Sequence, residues 1–368
     1  MQRARRGGFA VVLVSPQAFR HNRCMKSSCP AFPLLLVAPV LLLLVASGCG
    51  KKGEAAKDQT SSTAPVAAPP KGAVELKLKL PVAARFPMRI EVLQKSEMRI
   101  PSMPKPVLQV TELNQELQFT VLKAYEGGGR EVELEFSDVD MNVNVNGNEA
   151  MAFDSRGESL GDANNPVASA FRRLVGAKLK CVLDASNQVA KVEGWSELVA
   201  KMTAGSAGAQ MLGGVFTEDY FKQIADFSQG LPGHAVQPGD TWTIKRPIVM
   251  GPLGAATLDL TYTFKRWEER ENRQCARLEF SGPIHPGAPP TNSVMMGIRM
   301  SLLDGTTSGQ AWFDPALGLT IDSESDQKMN VLMNFPGTNA PGRGPNMRGG
   351  ITNTMGQHIR YKLLSDAK

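Results

Sequence analysis

From residue 73 to residue 153 apolar and polar side chains alternate with little interruption, the period of two that turns one face of a strand to a core and the other to water. "AVELKLKL" sets Val74, Leu76, Leu78 and Leu80 against Glu75, Lys77 and Lys79. "FPMRIEVLQ" offers Met88, Ile90 and Val92, "ELQFTVLKAY" offers Leu117, Phe119 and Val121, and "REVELEFSDVDMNVNV" opens on Val132, Leu134 and Phe136. The parity of that last run then moves to Val139, Met141, Val143 and Val145, which requires an extra residue near Ser137 and Asp138, a β-bulge. The glycines of "EGGGR" predict a turn whose flanking strands pair as neighbours. Asn146-Gly147 signals a second hairpin. A three-residue loop, Asn146 to Asn148, pairs Val143 with Met151 and Met141 with Phe153, whereas a two-residue loop turns Met151 and Phe153 to the polar side. The three-residue loop, with Asn148 left-handed, is therefore expected.

The period lengthens after residue 164. "NNPVASAFRRLVG" has Asn165 as N-cap, Pro166 at the first helical position, a stripe of Val167, Phe171, Leu174 and Val175, and Gly176 as terminator. A strand, turn and strand follow in "KLKCVLDASNQVAKVEG". Two further helices are then predicted, "SELVAKM" and "TEDYFKQIADFSQGLP", the second capped by Thr217 with Tyr220, Phe221, Ile224 and Phe227 on one face and Gly230 past its end. Strands resume at "PGDTWTIKRPI". "LTYTFKRWEERENRQCARLEFS" echoes "LQFTVLKAYEGGGREVELEFS", and "WFDPALGLT" echoes "AFDSRGESL", the pattern of a diverged duplication. "GPIHPGAPPTNS" and "FPGTNAPGRGPNMRGG" read as long exposed loops, and "ITNTMGQHIRYKLL" as a last strand.

The predicted fold is mainly β (α+β): antiparallel curved sheets with a central helical insert, either an internally duplicated β unit or an open barrel of the lipoprotein-carrier kind. The expected divisions are a leader (1–48), a tether (49–72), an N-terminal β unit (73–164), a helical insert with a β-hairpin (165–235) and a C-terminal β unit (236–368).

The 368 residues, 42% of them hydrophobic, can bury a sizeable core, and the formal charge of +6 would ordinarily direct attention to an anionic partner. The position of the charge removes that reading. Six of the 41 Lys and Arg (Arg3, Arg5, Arg6, Arg20, Arg23 and Lys26) precede Cys49 with no acidic residue among them, leaving 35 against 35 in the body. Nucleic-acid binding is excluded on that balance.

The basic stretch leads into "AFPLLLVAPVLLLLVASGCG", the layout of an export signal. The apolar run from Pro33 to Ala46 is shorter than the roughly 20 residues that span a bilayer and contains Pro39, so a membrane-spanning anchor is disfavoured. "VASGC" resembles a lipobox, with Ala46 in place of the usual Leu, and this implies that Cys49 becomes a lipidated N-terminus. Met25 followed by Lys26 would give a compact signal, so translation is expected to begin at Met25, and N-terminal sequencing of the precursor tests it. Residues 50 to 72, rich in Ala, Pro, Ser, Thr and Lys, have the composition of a solvated tether. By resemblance to lipoprotein sorting, Gly50 after the Cys implies the outer membrane or the periplasmic face. Cys24 and Cys29 lie in the leader, leaving Cys181 and Cys275 in the body. An exported compartment permits a disulfide between them, and a pair of buried free thiols is the alternative.

Candidate chemistry is sparse. "DVDMNVNVNGNEAMAF" places oxygen-bearing side chains at alternate positions, but aligning Gly147 with the glycine of a calcium loop puts Asn142 first and Phe153 last, and side chains about 7 Å apart on one face of a strand cannot converge on an ion. "GESLG" formally places Ser159 in a nucleophile-elbow motif, yet "DANNP" follows where a helix is required, and the base would have to be His234, His285 or His358. Those histidines and the two body cysteines show no metal-ligand spacing, and no glycine-rich phosphate loop follows a strand. The methionines of "VMMGIRM" and "MNVLM" suit core filling, or an adaptable apolar groove; a soft copper site is the third alternative.

With the lipobox at Cys49, the stretches "LVGAKLKCVLDASNQVAKVEG", "FSQGLPGHAVQPGDTWTIKR", "LDLTYTFKRWE" and "SGQAWFDPALGLTIDSESD" resemble a family of uncharacterised bacterial lipoproteins classed as a domain of unknown function. The resemblance implies a β-rich, extracytoplasmic, non-enzymatic protein and supplies no catalytic residue, metal or cofactor. The expected role is binding, with an apolar ligand, a lipid or an envelope protein as partner. A structural scaffold is the first alternative, and a hydrolase using Ser159 the second.

Overall fold

The computed structural model describes residues 68–101, 103–157, 165–204, 212–288, 294–295, 298–334 and 350–365. Thirteen strands form one antiparallel sheet: β2 (Arg85–Arg99), β3 (Val107–Ala124), β4 (Arg130–Val145), β5 (Asn148–Asp154), β6 (Lys178–Leu183), β7 (Val189–Glu193), β9 (Thr241–Val249), β10 (Ala255–Arg270), β11 (Arg273–Pro286), β12 (Val294–Met295), β13 (Ile298–Asp314), β14 (Leu319–Asn334) and β15 (Ile351–Leu363). β1 (Val74–Glu75) pairs separately with β8 (Ala235–Val236). The order across the large sheet is β7-β6-β4-β3-β2-β15-β14-β13-β11-β10-β9, with β5 on β4 and β12 on β13. The two expected β units therefore share one sheet, joined where β15 lies between β2 and β14. β3 alone has 18 residues, about 60 Å of strand at about 3.3 Å per residue.

The alternating pattern sets the inner and outer faces as expected. Leu117 pairs with Phe136 and Glu116 with Asp138, so Ser137 is the bulged residue that switches the parity of β4. The Asn146-Gly147 hairpin keeps its expected side-chain partners, Val143 with Met151 and Met141 with Phe153, by another route. Val145 pairs with Asn148 across a two-residue loop whose central φ values are +51° and +82°, a type I′ turn, and Asn148 is not left-handed. A bulge at Ala150 then restores the parity. The Asn146 side chain also accepts from the Leu108 N–H at 2.9 Å, tying the turn to β3.

Three helices follow among the described residues: α1 (Pro166–Leu174), α2 (Trp195–Thr203) and α3 (Glu218–Ile224). Asn165 caps α1 by accepting from the N–H groups of Val167 and Ala168 at 3.0 and 3.2 Å. Thr217 caps α3, which ends three residues short of Phe227. There the Asp226 side chain accepts from the Ser228 N–H, offering the backbone a turn in place of another helical bond. Phe171, Phe216, Phe221 and Phe227 then pack against Phe136, Phe153 and Phe119 of the sheet.

The sheet does not close into a barrel. Its edge strands β7 and β9 both meet α3, which stands between them as a stave: Glu218 Oε1 accepts from Val192 N–H of β7 at 3.3 Å, and Gln223 Nε2 donates to Val249 O of β9 at 3.0 Å. These bonds occupy polar backbone groups that an open edge would otherwise present to another chain.

The disulfide permitted by the sequence is not formed. Cys181 on β6 and Cys275 on β11 are both free and buried, with six strands between theirs in the sheet order. Burial pushes both thiols up to about 12, with the Asp314 carboxylate adding to the effect at Cys275.

Candidate functional site: the inner face of the sheet

Register decides which side chains stand side by side on the inner face of the five central strands, β3, β2, β15, β14 and β13. One row reads Thr111, Gln94, Gln357, Gln327, Thr307, each directly opposite the next. None of the five is more than 4% exposed. Four inter-strand steps of about 4.8 Å make this a polar belt about 19 Å wide. Gln357 Nε2 donates to Gln94 Oε1 at 3.3 Å, Gln94 Nε2 to Ser96 Oγ at 3.4 Å, and Gln109 Nε2 to Thr111 Oγ1 at 3.2 Å. Other atoms on the same face are buried without a partner: Gln357 Oε1, Thr307 Oγ1, Ser325 Oγ, Asn353 Oδ1 and both amide atoms of Gln115. Native interiors satisfy such groups with protein, water or ligand, and these atoms find no partner among the described residues of the face.

On one side of the belt lies a wall of methionine. Met355 and Met329 follow directly, and Met98, Met300 and Met333 come within two further rows, all at most 9% exposed. On the other side the face runs through Ile90 and Tyr361 toward α3, where a cavity of about 70 Å³ is lined by Ile224, Phe227, Tyr262, Phe280, Ser323 and Tyr361. That volume holds about two waters. Burial raises the phenol pKa of Tyr220, Tyr262 and Tyr361 above the usual tyrosine range. The Gln115 amide favours ionisation of Tyr220, although the two make no hydrogen bond of good geometry. No Asp, Glu, Lys or Arg stands at an inward position between Val107 and Gln115 of β3 or in the matching rows of the other four strands. Beyond them Arg246 of β9 lies 3.6 Å from Asp226, so the ionised groups near this face are themselves paired. Burial lowers the Arg246 pKa and Asp226 opposes that shift.

Other expected features fall elsewhere. Met25, Cys49 and Ser159 lie outside the described residues. His234 and His285 are exposed, the latter in β11 and not in a loop, and His358 meets Asp326 at 3.0 Å on the outer face. The alternating oxygens of β4 are spent on neighbours: Asp138 pairs with Arg156 at 2.9 Å, and Asp140 accepts from Asn114 at 3.1 Å. Among the described residues no helix is long and apolar enough to cross a membrane. The belt itself was missed by the sequence reading, although its signal was present: Gln109, Thr111 and Gln115 share the parity of Leu113, Leu117 and Phe119.

Residues 128–320, running from the turn after β3 to the start of β14, match the model described as Family of unknown function (DUF6263). The chain belongs to this family. The match takes in β4 to β13 with the three helices, and so both edge strands of the sheet, β7 and β9. No curated protein matches the chain. Among solved structures, one described as lipid–protein interactions in lipovitellin is similar over 78% of this chain and 26% of its own, at 8% identity and a TM-score of 0.42. The chain thus spans about a quarter of that protein. DynF from the dynemicin biosynthesis pathway of Micromonospora chersina is similar over 88% of this chain and 97% of its own, at 7% identity and a TM-score of 0.21. Neither likeness is strong enough to carry a functional argument.

Proposed function

We propose that this protein is a non-catalytic, extracytoplasmic lipoprotein, tethered through lipidated Cys49, that binds an apolar or amphiphilic ligand on the inner face of its open sheet. The observation that carries the binding role is the buried row of amides and hydroxyls, with partnerless polar atoms, set against a methionine wall. A core serving only stability would be expected to place aliphatic residues there, since each unsatisfied buried polar group costs about 1–3 kcal/mol. The anchoring role is supported by the basic leader, the short apolar run and "VASGC". Native mass spectrometry with lipid extraction, on protein purified from its own membrane, should find a co-purifying small molecule; a mass equal to the lipidated chain alone, with the interior water-filled, would favour a scaffold. Metabolic labelling with palmitate should mark the wild type and not Cys49→Ser, and equal labelling of both would remove the anchor.

A further inference from the structure

We infer that the occupant of the inner face is an uncharged amphiphile, with an ester, amide or hydroxyl group docked at the belt of Gln94 and Gln357 and one or more aliphatic chains lying on the methionine wall. This narrows the binding role proposed above and rests on it. A plain hydrocarbon would leave Gln357 Oε1, Thr307 Oγ1 and Ser325 Oγ without partners, whereas a neutral polar group can reach them with donors or acceptors of its own. A carboxylate or phosphate would be desolvated on a face whose five central strands offer it no counter-ion, and Arg246 is already engaged by Asp226. Spacing favours a molecule of two parts: Met355 and Met329 are one row from Gln357 and Gln327, about 7 Å along the strands, so a group at the belt places its first methylenes on the wall. Methionine is unbranched and polarisable, which suits chains that differ in shape.

The belt and wall side chains are at most 9% exposed and the cavity of about 70 Å³ under α3 is lined by others, so the face must part before a chain can lie on it. Binding therefore opens the seam at the stave. There a groove of about 520 Å³ runs along the outer side of α3 and β9, past Gln223, Arg246 and Val249.

Three probes sharing one chain length separate the possibilities: decanamide, decane and decanoate, titrated by calorimetry into the mature lipidated protein held in amphipol. Decanamide should bind at least tenfold more tightly than either of the others. The double variant Gln94→Leu, Gln357→Leu should keep its affinity for decane and bring the decanamide-to-decane ratio close to one, with circular dichroism reporting that the sheet is intact. If that variant does not fold, Thr307→Val should still reduce the ratio. Equal affinity for decane and decanamide in the wild type would make the belt a hydrated structural patch and overturn the inference while leaving the binding role standing. Tightest binding of decanoate would overturn the uncharged class. Binding of none of the three would remove the binding role as well.

Discussion

Replacing Phe221 by alanine tests whether α3 is a separable stave. The ring is fully buried, with its centroid 6.1 Å from Phe136 of β4, 6.1 Å from Phe216 and 5.2 Å from Tyr220. Truncating a fully buried phenylalanine costs about 3–5 kcal/mol, and three ring partners place this site toward the upper end. α3 is otherwise joined to the sheet edges by two side-chain bonds, from Val192 to Glu218 and from Gln223 to Val249, each contributing on the order of 1 kcal/mol. Hydrogen exchange followed by mass spectrometry resolves the consequence segment by segment. In the wild type, peptides from α3, β7 and β9 should exchange before those of β2 and β15, because detaching the stave exposes far less surface than opening the sheet. In Phe221→Ala the α3, β7 and β9 amides should speed up by about three orders of magnitude, at about 1.4 kcal/mol per factor of ten. The same exchange rate for these segments and for β15, in either protein, would show that the stave opens only with the whole sheet and would refute the reasoning.

Three further outcomes follow from local geometry. Gly147→Ala should lower stability by about 1–2 kcal/mol in chemical denaturation, the cost of a side chain at φ +82° with no atom within 4 Å of the added carbon; Gly230→Ala should cost more, since its Cβ would come within 2.7 Å of the Tyr262 hydroxyl. Glu131, hydrogen-bonded by Lys123 and Tyr125, has its pKa drawn from 4.5 down to about 2, so its contribution is complete above about pH 4.5 and lost as the pH falls toward about 2. The stability gap between wild type and Glu131→Gln should narrow over that window in urea titrations, and a constant gap would contradict the assignment. Cys181 and Cys275 should take up no iodoacetamide at pH 8 in the folded state and one equivalent each after denaturation, as read by the masses of the two peptides that carry them; modification of either in the native protein would mean that these thiols are less buried than the structure has them.

Legibility in the sequence tracked the range of the interaction concerned. The bulge at Ser137, the cap at Asn165 and the facing of Met141 and Phe153 depend on residues a few positions apart, and pattern alone located them. The hairpin loop was misjudged because two arrangements satisfy one parity: a longer loop, or a tight turn with a bulge at Ala150. α3 stopped early because a turn held by Asp226 competes with the helix over a single residue. The belt escaped because a polar residue in an alternating run is ordinarily assigned to water. Gln109 and Thr111 could be recognised as inward only by continuing the parity of Leu117 back through Leu113, against their chemistry. The seam between β2 and β15 is set by side chains far apart in the chain, and no local signal reports it.

That seam governs how the molecule can be made. Gln94 and Gln357, hydrogen-bonded neighbours in the finished belt, are 263 residues apart, so the strand beside β2 is among the last parts of the sheet to be synthesised. Closing a loop of that length costs about 5 kcal/mol of chain entropy beyond a constant. Until β15 arrives, β2 and β14 each present an open edge twelve residues long and flanked by methionine and amide side chains. The edge of β2 thus waits from residue 99 until residue 351 for its partner and that of β14 only from residue 334, so the longer exposure to mispairing falls on the first half-sheet.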